Sequence, residues 1–198
     1  MTIYAIRHAE KESGDYYCAE LPMNNQPLTQ RGQQQAQALA DFFSGANIDT
    51  IHVSQYVRTG QTIAQVAAQK KITPIIDTRL NEINVGDLEK LPDEQLQREY
   101  PEFWDAYFKR DRDFRFPNGE TGDEAADRVF DLFCSLDPVK DHILVTHEGL
   151  IRILICKVLS IPTYKRHLFR MDYCAVTTFE YSPEFKCWMV PRINEKTS

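Results

Sequence analysis

Short apolar runs alternate with amphipathic stretches along this chain. Ile3–Ile6, Ile51–Val53, Thr73–Ile76, Ile143–Val145 and Ala175–Tyr181 are brief and rich in β-branched or aromatic residues, as buried strands are. Between them the apolar period lengthens to that of a helix. Thr29 is placed to cap one helix, which carries Ala36, Leu39, Ala40 and Phe43 on one face and ends near Gly45. Arg58 to Lys70 predicts a second, with Ile63, Val66 and Ala67 inward. Thr121 to Leu136 predicts a third, with Ala125, Val129, Leu132 and Phe133 inward. Strands that alternate with helices predict an α/β fold with a mainly parallel sheet.

Residues 90–117 break this rhythm. Asp93 to Arg110 reads as one amphipathic helix, with Leu96, Tyr100, Phe103, Trp104, Tyr107 and Phe108 available for packing. The stretch then continues through Arg112 and Arg115 to Pro117. We read it as a lid or cap excursion from a single domain spanning 1–198, because no Gly/Ser-rich linker divides the chain. Its arginines either reach a substrate or stay solvated.

Composition narrows the partners. Lys plus Arg number 23 and Asp plus Glu 29, a net charge of −6 that disfavours nucleic acid or an anionic membrane as a general partner. The acidic residues among the aromatics of 90–117 cancel the field a single-stranded nucleic acid would need. No apolar run is long enough to span a bilayer or to act as a signal sequence, so a cytoplasmic location is expected. Five scattered cysteines show neither zinc nor disulfide-framework spacing. They read as reduced thiols, with Cys134, Cys156 and Cys174 as small core residues. No His/Asp/Glu cluster has metal-ligand spacing, and no Gly-rich nucleotide loop is present, so neither metal nor cofactor is expected. Oligomeric state has no signature in the chain.

The chemistry concentrates where strands end. The first apolar run feeds into Arg7 and His8, and the run from His142 ends at His147, just before a helical pattern. Ile51-His-Val-Ser54 leads in the same way into a helix carrying Arg58. Ligands of α/β sheets sit beyond the carboxyl ends of parallel strands, so two histidines and two arginines are expected on one sheet edge. Arginine forks clamp phosphate oxygens, and a guanidinium beside His8 keeps its imidazole neutral and nucleophilic. His52, inside a strand run, reads as packing or facing solvent rather than catalysing, and His142 begins a strand. His167 sits in the basic patch Lys165-Arg166-His167, which either reaches the tail of a substrate or, as we expect, is simply exposed.

Several segments, in order, resemble the histidine phosphatase superfamily, also called phosphoglycerate-mutase-like. Arg7-His8-Ala9-Glu10 is similar to its Arg-His-Gly-Glu signature. Leu28-Thr-Gln-Arg-Gly32-Gln-Gln-Gln-Ala36 is similar to the start of its first helix, and Ser54 to Ala64 to its second-arginine block. Leu80-Asn-Glu82, Pro117-Asn-Gly-Glu-Thr121 and Thr146-His147-Glu-Gly-Leu-Ile-Arg152 complete the set.

The resemblance implies a three-layer sandwich, helices flanking a mainly parallel central sheet. It also implies metal-independent hydrolysis of a small phosphorylated metabolite through a phosphohistidine. His8 would attack phosphorus. Arg7, Arg58 and His147 would hold the phosphoryl oxygens, and Glu82 would act as acid and then base. Three departures qualify it. Ala9 stands for the usual glycine, and so loses easy access to positive φ. An expected asparagine is absent, which leaves Lys11, Ser13 or a backbone amide to make its contact. Glu148 follows the second histidine, where it is either a rival proton donor or an ordinary acidic residue at a helix start. The alternatives are a phosphoglycerate mutase, a specificity like that of fructose-2,6-bisphosphatase or α-ribazole phosphatase, and a non-enzymatic phospho-ligand sensor or scaffold.

Overall fold

A computed structural model describes residues 1–197. Six strands form one sheet: β1 (Thr2–Arg7), β2 (Thr50–Val53), β3 (Ile75–Ile76), β4 (His142–Thr146), β5 (Val176–Ser182) and β6 (Cys187–Glu195). Their spatial order is β3-β2-β4-β1-β5-β6. The first four in that order are parallel, and β5 and β6 add an antiparallel edge. β1 and β4 are buried because both faces of the sheet are covered, which is why they read as continuous apolar runs rather than alternating ones.

Helices α1 (Gln30–Phe42) and α2 (Val57–Lys70) cover one face. There Leu39, Phe43, Ile63 and Val66 meet Ile6, Ile51 and Val145. The other face is covered by α5 (Gly122–Ser135) and α6 (Glu148–Val158), with Phe133 and Leu154 packed toward Ile3, Leu144 and Phe179; α4 (Pro101–Lys109) adds Phe103 and Ala106 to the same core, and α3 (Asp93–Glu99) packs on α4. This is the expected sandwich of helices about a mainly parallel sheet.

Local chemistry sets the helix starts. Thr29 accepts the Gly32 amide, and Thr121 and Glu124 cap α5 reciprocally. Gly32 is required by close approach, because a Cβ there would lie 2.0 Å from the Glu10 carbonyl oxygen.

Four expectations change. Asp93 to Arg110 is two helices, because Pro101 lacks a donor and drives Tyr100 out of helical geometry, so α3 stops at Glu99 and α4 begins on the proline. Phe108 faces solvent at 61% exposure rather than packing. The Thr73–Ile76 run shortens to the two-residue edge strand β3, whose side chains are exposed. Cys134 is exposed, whereas Cys156 and Cys174 are buried as expected. The strand β6 had no counterpart in the apolar pattern. It lies on the sheet edge with mostly exposed or half-buried side chains, so it leaves no run of hydrophobic positions. Among the described residues no helix is long and apolar enough to cross a membrane.

Candidate active site

Parallel pairing of β1 with β4 sets Arg7 opposite Thr146, so the residues that follow, His8 and His147, emerge side by side. The His8 amide bonds the Thr146 carbonyl at 3.0 Å, and the two imidazole centroids lie 5.1 Å apart. β2 ends alongside, its Val53 level with Val145, and delivers Ser54 and then the start of α2 with Arg58. Three adjacent strand ends thus converge on one point, at the edge where such sheets bind ligands.

The hydrogen bonds fix the histidine tautomers. His8 Nδ1 donates to the Ala9 carbonyl at 2.7 Å, which leaves Nε2 with its lone pair. An arginine can only donate, so His147 Nδ1 accepts from Arg58 Nη2 at 3.2 Å, and its Nε2–H donates to Ser54 Oγ at 2.9 Å. Both rings are held neutral. Burial, and next Arg58, lower His8 to about 3, and burial and Arg58 also push His147 well below the ordinary range. Arg7, the sequence neighbour, contributes less to His8 than burial and Arg58 do. Its guanidinium turns aside, 4.0 Å over the Tyr173 ring, and bonds the Met171 carbonyl.

Arg58 is buried between Tyr56, 4.3 Å below it, and the Asn24 carbonyl, which it reaches at 3.2 Å. The Nε–H groups of Arg7 and Arg58 are buried without a hydrogen-bond partner among the described residues. Buried donors of this kind are costly unless something accepts from them, and an anion does so best. Ala9 is fully buried, its amide donates to Thr62, and it does not adopt positive φ, so alanine fits where glycine was expected.

Glu82 and Glu148 part company. Glu82 Oε1 accepts from the Ile83 and Leu150 amides at 2.9 and 3.2 Å, and Oε2 from the Gly149 amide at 3.3 Å. One lone pair on Oε2 is thereby left to carry a proton. Burial raises its pKa, against the lowering effect of those amides and of Arg58. A Cβ on Gly149 would sit 2.8 Å from Glu82 Oε1, so the approach of this carboxyl requires glycine. Glu148 instead pairs with Arg7 at 3.0 Å and with Arg152, acting as counter-ion to both guanidinium groups.

The loop bearing Glu82 is pinned from below. Arg128 donates to the carbonyls of Arg79 and Asn81 and to Glu120, which also accepts the Asn84 amide. The Pro117-Asn-Gly-Glu segment therefore acts here as a brace for Glu82. Lys11 donates to Gln26 at 2.8 Å, and the pKa of its ammonium is lowered first by burial and then by Arg58. His142 is buried at the start of β4, away from the site, His52 is buried within β2, and His167 is exposed. Arg166 is buried at 5% exposure, against the expected exposure of its patch.

Ser54, Tyr56 and Tyr173 were not singled out by sequence reasoning. Ser54 stood at a strand end, the one signal that could have found it. Tyr173 comes from a loop remote in sequence and carries none. Among the described residues no three His, Cys, Asp or Glu side chains converge as metal ligands would.

A sequence model of the histidine phosphatase superfamily, branch 1, matches residues 3–195. The chain belongs to this family. Among curated proteins it is 28% identical over 190 residues to a protein named probable phosphoglycerate mutase GpmB from Shigella dysenteriae, with 91% of this chain and 85% of that protein covered. Among solved structures it is similar to the alpha-ribazole phosphatase of Shigella flexneri, at 25% identity and a TM-score of 0.79 over 99% of this chain and 97% of that one. A mycobacterial glucosyl-3-phosphoglycerate phosphatase, determined with inorganic phosphate, shares the fold at a TM-score of 0.80 and 21% identity, over 99% of this chain and 98% of that one. Histidine phosphatase superfamily membership and a phosphoglycerate-mutase-like fold therefore stand together.

Proposed function

We propose that this member of the superfamily is a phosphomonoester hydrolase that works through a phosphohistidine on a small phosphorylated metabolite. The observation that carries the reading is the buried, neutral His8, its Nε2 lone pair free, beside buried and unpartnered arginine donors. Nε2 attacks phosphorus while Arg7 and Arg58 hold the equatorial oxygens. His147 stays neutral, and by accepting from Arg58 Nη2 through Nδ1 it orients that guanidinium toward the phosphoryl group. The phosphorus–oxygen bond breaks, and Glu82 gives its Oε2 proton to the leaving alkoxide. A water then attacks the phosphohistidine, Glu82 takes the water's proton, and the phosphorus–nitrogen bond opens to release phosphate and neutral His8. Lys11 adds positive charge at the pocket rim, and Glu148 orients Arg7. Nothing in these steps calls for a metal.

The test is phosphate release from 4-nitrophenyl phosphate in excess EDTA, in the parent and in His8→Ala. We expect chelator-resistant turnover that falls by about 10³-fold or more in the variant, the scale of loss when a covalent nucleophile is removed. Absence of turnover from pH 4 to 8 would overturn the reading. Tight binding of a phosphorylated ligand without turnover would then favour a sensor. The relatives named as mutases support a second reading, transfer of the phosphoryl group between positions of one acid. It predicts an isomerised phosphoglycerate in place of free phosphate.

A further inference from the structure

Arg7 and Arg58 each lie against a tyrosine ring, and each of those rings also meets a histidine of the site. Tyr56 is buried at 1% exposure, with the Arg58 guanidinium 4.3 Å from its centroid and the His147 ring edge-on at 5.1 Å. Tyr173, half-buried, holds the Arg7 guanidinium at 4.0 Å and tilts against His8 at 5.8 Å. The rings come from unrelated places, one from the start of α2 and the other from the loop before β5. Local structure does not ask for Tyr56. It stands at the N-cap of α2, where a small oxygen-bearing side chain is usual, yet its side chain caps nothing.

A buried guanidinium is more often held by a carboxylate, and the two holders differ in what they leave over. A carboxylate accepts the N–H donors and cancels the charge. An aromatic face attracts the cation without cancelling its charge and without taking up a donor that an oxygen could use. Arg58 is held in the second way. It donates to the Asn24 carbonyl and to His147, forms no ion pair among the described residues, and keeps its Nε–H without a partner. Glu82 and Glu89 favour its charge through space without touching it. Arg7 is held more redundantly, by Glu148, the Met171 carbonyl and Tyr173. Tyr56 also meets both ends of the bond from Arg58 to His147, so a shift of its ring would move donor and acceptor together.

Resting on the hydrolase reading, we infer that Tyr56 is a positioning residue for phosphoryl transfer, acting through Arg58 and His147, and that Tyr173 acts likewise but more weakly through Arg7. Each ring fixes a guanidinium while leaving its charge and donors to the phosphoryl oxygens. Orientation of this kind counts most in the transition state, so its loss falls on kcat rather than on KM.

The test follows 4-nitrophenyl phosphate turnover, together with binding of orthovanadate and of inorganic phosphate by titration calorimetry, in variants of Tyr56. In Tyr56→Leu we expect kcat to fall by about ten- to thirtyfold, the scale of a desolvated cation–π contact, with KM within about threefold of the parent. Orthovanadate, which takes up the five-coordinate geometry of the transfer, should lose affinity by a similar factor, and phosphate by less than about threefold. Tyr56→Phe keeps the ring and should recover most of both losses. Tyr173→Leu should show the same split at smaller size, and it carries the test if Tyr56→Leu does not fold. Phenylalanines at position 56 bearing one, two or three fluorines keep the shape while draining negative charge from the ring face. Orthovanadate affinity should fall in step with fluorination, which a packing role alone would not produce. Equal losses for orthovanadate and phosphate, no recovery in Tyr56→Phe, or no trend with fluorination would overturn the inference. The expected orthovanadate trends in a protein that releases no phosphate from the aryl ester would instead fault the hydrolase reading and leave Tyr56 as the residue that positions Arg58 for an anion.

Discussion

The strand ends that carry His8 and His147 and the cavity of about 180 Å3 lined by Tyr107, Arg110, Phe116, Arg152 and Arg166 are built in opposite ways. The first rests on the ends of three adjacent parallel strands, β2, β4 and β1, so each side chain is placed by sheet register. The second is assembled from α4, the segment after it, the turn at Thr163–Leu168 and the first turn of α6. Rigid strand ends suit a group that never varies, the phosphoryl dianion. Helical excursions and turns tolerate substitution, and so suit a part of the substrate that differs between relatives. That division accounts for one superfamily holding proteins named for mutase and for several phosphatase activities on one fold.

Substitutions should separate the two ends. At the strand edge, Arg58→Met removes a buried guanidinium from the phosphoryl pocket. It should lower kcat/KM by about 10²–10³-fold, the loss typical of one oriented transition-state donor, and by a similar factor for every phosphomonoester tried. A loss confined to one substrate would put Arg58 with the variable end instead.

Glu82 stands at the seam, so its signature is a pH dependence. Burial raises its pKa, and the proton it gives up in the proposed reaction is present below that value and lost as pH rises through it. His8 stays neutral down to about 3 and sets no limit above that pH. Activity in the parent should therefore hold at mildly acidic pH and decline on the alkaline side. Glu82→Gln should lower kcat by about 10²–10⁴-fold and abolish that alkaline limb. An unchanged limb in the variant would assign the proton to another group.

His8 also leaves a mark on stability. It is neutral when folded until pH falls to about 3, whereas unfolded it takes a proton near 6.5. Between those values the unfolded chain binds more protons, so stability falls as pH drops through that window. In thermal melts, His8→Asn should lose less Tm than the parent between pH 6.5 and 4.

The smallest effect belongs to a residue outside both ends. Thr29→Ala deletes the α1 cap and should cost about 1 kcal/mol of unfolding free energy, read from denaturant midpoints, with kcat unaltered.

The same division explains what could be read in the chain beforehand. The strand-edge residues lie in short segments where an apolar run gives way to Arg7-His8, to the helix start bearing Arg58 or to His147, so local pattern was enough to gather them. The α1, α2 and α5 helices were legible because each has one apolar face and a definite start. Arg166 was not, because a basic tripeptide in a turn looks solvated until Phe114 and Phe116 are folded over it. The break at Pro101 was visible in the letters but was overridden by a continuous aromatic stripe. Tyr173 and β6 depend on tertiary placement alone, and of Glu148's two arginine partners Arg152 lies one helical turn on, whereas Arg7 is remote in sequence.

The central place of β1 has a kinetic consequence. Ile3 pairs with His142 on one side and with Phe179 on the other, so β1 is completed by segments about 140 and 176 residues further along the chain. Closing such distant contacts costs chain entropy before it returns any packing, and folding slows as contacts become more remote in sequence. During synthesis the apolar Thr2–Arg7 segment must wait for its neighbours. His8 and His147 come together in the same event that joins β1 to β4, so the reactive pair has no existence apart from the formation of the core.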